Sequence, residues 1–313
     1  MNDFFDPTAF AELPVTFART KIDIEHRAVV DAPWSAAHEL GHIYYNPSRL
    51  AQAHLKLNHH LVGFEFEPCV VRLQLDTGPM LDRIVKSRSF YFVPAGSQIE
   101  VRKEHMCENL LITLDPLLCE RLIPALNNLR MTENMEDDAV SQHAIAFRRA
   151  LLSGEPAAGA VPAVISAVLA ALRARAAAPT IAQAPLVLSS TRVKRALDYI
   201  EANFAAAVSV EDIAAAAGGI SAFHFAHVFR STMGRAPYQC VVERKLHQAR
   251  SLLTETPDGL AKIAYSVGFA SQAHMTETFS RRIGVTPLQF RRMTRTLMSQ
   301  STAARAMDRR AQI

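Results

Sequence analysis

The chain has 313 residues, 49% hydrophobic and 20% charged, with a net charge of +4. That length suggests two domains, and the balance is that of an ordinary globular protein, not of a disordered or collagen-like one. Four cysteines, Cys69, Cys107, Cys119 and Cys240, with no CxxC pair among them, exclude a disulfide-built scaffold and fit a reducing compartment. Charge is unevenly placed: residues 1–185 carry 17 Lys+Arg against 21 Asp+Glu, and residues 186–313 carry 17 against 9. A basic second half suits a polyanion partner or a solvated basic face, and charge alone does not separate the two. The first residues, MNDFFDPTAF, have no basic stretch followed by an apolar one, so no signal peptide is read and a cytoplasmic location is expected. The longest nearly apolar run, Ala157 to Leu172, contains Pro162 and is too short to cross a bilayer.

In chain order, the first motif is His38-Glu39-Leu40-Gly41-His42, a complete HExxH string. On a helix its histidines would share a face and could hold zinc, with Glu39 as base. That is the alternative function, a zinc-dependent hydrolase. Tyr45 and Ser48 stand where a metzincin has Gly and His, and Pro33 and Asn46-Pro47 leave room for about three turns of helix. His54, His59 and His60 read as surface or strand-edge residues. Trp34, Tyr44 and Tyr45 could line a pocket, but aromatics more often pack a core.

Residues 60–114 read as strands. Val71, Leu73 and Leu75 alternate with Arg72, Gln74 and Asp76, and Leu110, Ile112 and Leu114 alternate with Asn109, Leu111 and Thr113. Period-two alternation means one buried face. Turns fall at Thr77-Gly78-Pro79 and Pro94-Ala95-Gly96. A small antiparallel barrel or sandwich is expected, within about 15–115. Helices are expected at 117–129, about 135–152 and 161–177. The middle one carries Val140, Ala144, Phe147 and Leu151 on one face, a stripe suited to a dimer contact or to its own barrel. Residues 181–190 read as a linker and 297–313 as a flexible tail.

Residues 191–296 form a separate helical block that repeats at an offset of 50. Ile213-Ala214 matches Ile263-Ala264, Gly218 matches Gly268, and Ser221 matches Ser271. Phe229 matches Phe279, Gly234 matches Gly284, and Pro237 matches Pro287. Each copy reads helix, Gly-containing turn, helix, Gly, Pro, helix. Ser caps the second helix of each pair, Phe pins it to a core, and its first turn stays free to enter a groove. Two copies are too few for a solenoid, and the basic excess favours DNA.

This block resembles the AraC/XylS family of transcription regulators. The motifs are IAAAAGGISAFHFAHVFRSTMGRAPYQCVVERKLHQARSLL and LAKIAYSVGFASQAHMTETFSRRIGVTPLQFRRM, about a third of the chain. The resemblance implies an α+β protein: an N-terminal cupin-like antiparallel β-barrel with dimerising helices, then an all-α domain with two helix-turn-helix units. It implies double-stranded DNA, a small-molecule effector and RNA polymerase as partners, a homodimer, and no cofactor or reaction. Phe92-Val93-Pro94-Ala95-Gly96 resembles the Pro-x-Gly turn of small cupins, but Ser97, Gln98 and Ile99 follow where a metal-binding barrel has histidine, so no metal is expected. The implied groove-facing residues are Ala222, Phe223, Ala226 and His227 in the first unit, and Gln272, Ala273, Thr276 and Glu277 in the second. His227 and Glu277 stand where the family often has Arg, which changes the base each can read. Arg230, Arg235, Arg250, Arg281, Arg282, Arg291 and Arg292 are candidate phosphate contacts.

Overall fold

The computed structural model describes residues 21–22, 30–31, 34–153, 159–177 and 188–295. The expected tail, most of the expected linker and the first 20 residues lie outside them. Two short strands, β1 (Lys21–Ile22) and β2 (Val30–Asp31), pair with each other. The main sheet holds β3 (Trp34–His38), β4 (Gly41–Lys56), β5 (His60–Glu65), β6 (Cys69–Leu75), β7 (Leu81–Val85), β8 (Ser89–Val93), β9 (Gln98–Leu114) and β10 (Thr132–Met135).

β9 organises this sheet. Along one edge it pairs with β4 from Gly41↔Leu114 to Lys56↔Gln98. Its other edge is divided: the C-terminal half takes β5 and the N-terminal half takes β6. The strand order β10-β8-β5-β9-β4-β3, with β7 beyond β6, has free edges, so among the described residues the sheet does not close into the expected barrel. Alternation along the strands gives two apolar faces. Val62, Phe64, Phe90, Phe92, Leu110 and Ile112 face the helices, while Leu61, Val71, Leu73, Val93 and Ile99 form a second cluster.

After the sheet come α1 (Pro116–Leu122) and a 3-10 turn at Pro124–Asn128, where one longer helix is expected, and then β10, which period-two reading misses. α2 (Asp138–Ser153) and α3 (Ala160–Ala177) follow. The stripe Val140, Ala144, Phe147 and Leu151 is buried in the same core as α3 and the sheet, so it is taken up within the protomer and offers no dimer face. α3 is long and apolar enough to cross a membrane, but Val161, Val164, Ile165, Val168, Leu169 and Leu172 are buried in this core.

The HExxH string is not helical. His38 ends β3, His42 belongs to β4, and His38 pairs with Gly41 across a tight hairpin turn. A Cβ at Gly41 would lie 1.7 Å from the Thr113 carbonyl oxygen, so glycine is required by this close approach. The helical spacing that a zinc hydrolase needs is therefore missing. His60 is also not a surface residue: it is buried, its Nδ1 accepts the Ala95 amide at 3.0 Å, and it anchors the Pro94–Gly96 turn.

The C-terminal block is all helical: α4 (Ser190–Asn203), α5 (Val210–Ala216), α6 (Ala222–Met233), α7 (Pro237–Glu255), α8 (Leu260–Ser266), α9 (Gln272–Ile283) and α10 (287–295). It is docked on the sheet. The core of its second half, with Ile263, Met275, Phe279 and Phe290, is continuous with that of α2, α3 and the sheet, and the core of its first half takes in Val70 of β6.

Candidate nucleic-acid interface

The 50-residue repeat folds twice into the same local structure. Ser209 and Asp212 form a reciprocal capping box at the start of α5. Ser221 Oγ accepts the His224 amide at 3.4 Å, and Ser271 Oγ accepts the His274 amide at 3.1 Å, so α6 and α9 begin at equivalent positions. Gly234 and Gly284 end these helices in the left-handed region, with φ of 71° and 95°. Thr286 and Gln289 exchange caps at the start of α10.

α6 and α9 each have one buried side, with Phe225, Phe229 and Met233 on α6 and their repeat partners Met275, Phe279 and Ile283 on α9. The other side faces solvent. On α6, Phe223 is 89% exposed, His227 and Arg230 are exposed, and Ala222 and Ala226 are half-buried. On α9, Gln272, Ala273, Glu277 and Arg281 are exposed, and Thr276 and Arg282 are half-buried. An exposed Phe at the first turn of a helix costs solubility, which is offset when it meets an apolar surface such as a thymine methyl. Glu277 Oε1 lies 3.5 Å from Arg281 Nη1, one turn away, so its charge is partly balanced before any ligand arrives.

The seven candidate phosphate arginines divide. Arg230, Arg281 and Arg292 are exposed. Arg250 is buried, 3.1 Å from Glu108 and 3.7 Å from Glu67. Arg235 donates to Ser87 Oγ at 2.8 Å and lies 3.3 Å from Glu243. Arg282 lies 3.7 Å from Glu243. Arg291 donates to the Leu253 and Asp258 carbonyls, closing the end of α7. The sequence marks all seven as candidate phosphate contacts because it shows their charge but not the partners that fold against four of them.

Those partners belong to a buried polar network between the sheet, α2 and α7. Glu108, fully buried on β9, takes Arg148 Nη1 at 2.9 Å and the Tyr45 hydroxyl. His247 of α7 meets Glu67 and bonds to Arg250. Burial by itself pushes the Glu108 carboxyl up, but the Arg148 and Arg250 guanidiniums and the Tyr45 hydroxyl outweigh it and hold it down at about 2. Burial and the Glu67 carboxylate push Glu243 the other way, up to about 8, against Arg235 and Arg282. Elsewhere in the sheet Glu65, Cys69 and Cys107 bring three possible metal donors together. Lys103 Nζ already sits 2.7 Å from Glu65, so an ammonium supplies the positive charge there.

Two helices joined by a glycine turn, with the second capped by serine and exposed at its first turn, define a helix-turn-helix domain. Residues 213–293 match the family model described as "Helix-turn-helix domain". The chain is 35% identical over 77 residues to the HTH-type transcriptional regulator MtrA of Neisseria gonorrhoeae, a match covering 25% of this chain and 26% of the relative. It is 30% identical over 93 residues to the probable transcriptional regulator LumQ of Photobacterium leiognathi, covering 30% and 37%. A solved AraC-type DNA-binding protein of Chromobacterium violaceum is 28% identical, with a TM-score of 0.32, covering 34% of this chain and 94% of that one. This domain is similar to the DNA-binding domain of AraC/XylS-family transcription regulators. The chain spans only 26% to 37% of the length of these curated relatives.

Proposed function

We propose that the protein is a sequence-specific, DNA-binding transcription regulator, with α6 and α9 each reading a major groove. One observation carries this: two equivalent, serine-capped helices bury one side and leave the first turn of the other side exposed. Phe223 suits a thymine methyl and Gln272 suits adenine. Ala222, Ala226, Ala273 and Thr276 are small enough to let the helices approach base edges, and Arg230, Arg281 and Arg292 reach phosphates. The N-terminal half takes a small-molecule effector, the regulator acts as an activator through RNA polymerase, and two copies associate.

A salt titration on a selected DNA site tests the DNA reading. Four of the seven arginines are engaged inside the protein, which limits the candidates to about three phosphate contacts per chain at most. The log–log slope of affinity against salt should then lie near −3. A flat titration, or equal affinity for selected and random DNA, overturns the reading.

A further inference from the structure

Both recognition helices end against the same small region of the N-terminal half. The carbonyl of Met233, the last residue of α6, accepts the Ser87 amide at 3.0 Å. The carbonyl of Arg282, in the last turn of α9, accepts Arg148 Nη2 at 2.7 Å. These are carbonyls that a helix leaves without an internal donor, and the negative end of the helix dipole favours a cation there. The glycines that follow occupy equivalent places in the repeat and press on the same region. A Cβ on Gly234 would lie 3.2 Å from the Ser87 carbonyl oxygen, and one on Gly284 would lie 3.1 Å from Arg149 Cγ. The two holds meet at Phe66, whose carbonyl accepts Ser87 Oγ at 3.0 Å and whose ring lies 4.5 Å under the Arg148 guanidinium.

We propose that Arg148, with Ser87 as its counterpart on the first unit, is a positioning residue that fixes the two recognition helices relative to each other and so sets the half-site spacing the protein accepts. This rests on the DNA reading proposed above. The planar fork of Arg148 gives Nη1 to Glu108 at 2.9 Å and Nη2 to Arg282 at 2.7 Å, which ties α9 to the interior of the sheet. A lysine keeps the charge but lacks the fork. Glu108 also takes the Tyr45 hydroxyl, so any shift of Glu108 inside the sheet is delivered to α9 through one side chain. Each added base pair displaces a half-site by about 3.4 Å along the duplex, so a rigidly held pair of helices must reject it.

The test uses the full chain and an operator selected by the wild type from random DNA. Affinities are measured at fixed salt for that operator and for versions with one base pair inserted or removed between the half-sites. The wild type should lose about tenfold or more on either change, the scale of a lost base contact. Arg148→Lys should bind the parent operator within about threefold of wild type, yet lose less than about threefold on insertion or removal. Ser87→Ala, which drops the hydroxyl held between Arg235 and Phe66, should relax spacing in the same way. It decides the matter should the lysine variant fail to fold. Variants that keep the full spacing penalty, or that weaken all operators by one common factor, overturn the proposal. A wild type that selects no site from random DNA overturns the DNA reading beneath it.

Discussion

Glu108 of β9 and Arg250 of α7 lie 3.1 Å apart with both side chains buried, and they join the sheet to the helix that links the two DNA-binding units. Removing one member of a buried pair leaves an uncompensated charge, which costs about 3–5 kcal/mol. Arg250→Ala should therefore lower the urea midpoint of the first unfolding transition, followed by circular dichroism, by far more than Arg281→Ala. The latter breaks only an exposed pair worth under about 1 kcal/mol. Equal midpoints for the two variants would count against a structural role for Arg250. The folded carboxyl of Glu108 titrates at about 2, below its unfolded value. Its contribution is present above about pH 4 and is lost as pH falls through about 2.

Glu243 gives the opposite pH dependence. Its folded carboxyl is raised to about 8 by burial first and by Glu67 second. The native state then binds a proton that the unfolded chain has released, so this group's contribution is complete below about pH 4 and fades as pH rises through about 8. Thermal unfolding should show a stability loss between about pH 5 and 9 that flattens in Glu243→Gln, which keeps the shape without the titration. A slope identical in wild type and variant would show that Glu243 does not cause the loss.

The turns of the two units differ in how closely the chain packs on them. Gly218 and Gly268 are repeat partners with φ of 113° and 80°. A Cβ on Gly268 would lie 2.3 Å from the Ala205 carbonyl oxygen, whereas one on Gly218 meets only the Arg192 side chain, at 3.5 Å. Gly218→Ala should cost about 1 kcal/mol for its backbone conformation. Gly268→Ala must also displace backbone and should cost roughly 2–4 kcal/mol. Denaturant titration of the two variants compares them, and a smaller loss at Gly268 would contradict this packing.

The helical block was legible because its signals are local. The serines Ser221 and Ser271 and the glycines Gly234 and Gly284, at a fixed offset in the repeat, stand where the structure begins and ends α6 and α9. β4 was hidden because Asn46-Pro47 reads as a breaker. The strand carries the proline where its register against β9 shifts between Asn46 and Arg49, so no regular ladder is interrupted there. Tyr45, Glu67, Glu108, Arg148 and Arg250 were not legible as a group. Each reads alone as an aromatic or a surface charge, and only the docking of α2 and α7 on the sheet supplies partners 40 to 180 residues away.

Glu277 and His227 hold equivalent places on α9 and α6, both exposed, and should read different bases. His227 can donate a hydrogen bond, whereas an ionised Glu277 only accepts one. In a groove Glu277 suffers phosphate repulsion, which Arg281, 3.5 Å away and one turn further along α9, reduces. With that repulsion lowered, the carboxylate can accept from a cytosine amino group. Glu277→Ala should then lose discrimination at one base pair of the second half-site, by about 1–3 kcal/mol, and leave the first half-site unchanged. Affinities of wild type and Glu277→Ala across all single-base variants of the operator, at fixed salt, measure this directly. If instead Glu277 stays turned towards Arg281 and away from the bases, deleting its charge strengthens binding to every variant by the same factor. That uniform gain, with no position losing discrimination, would refute base reading by Glu277.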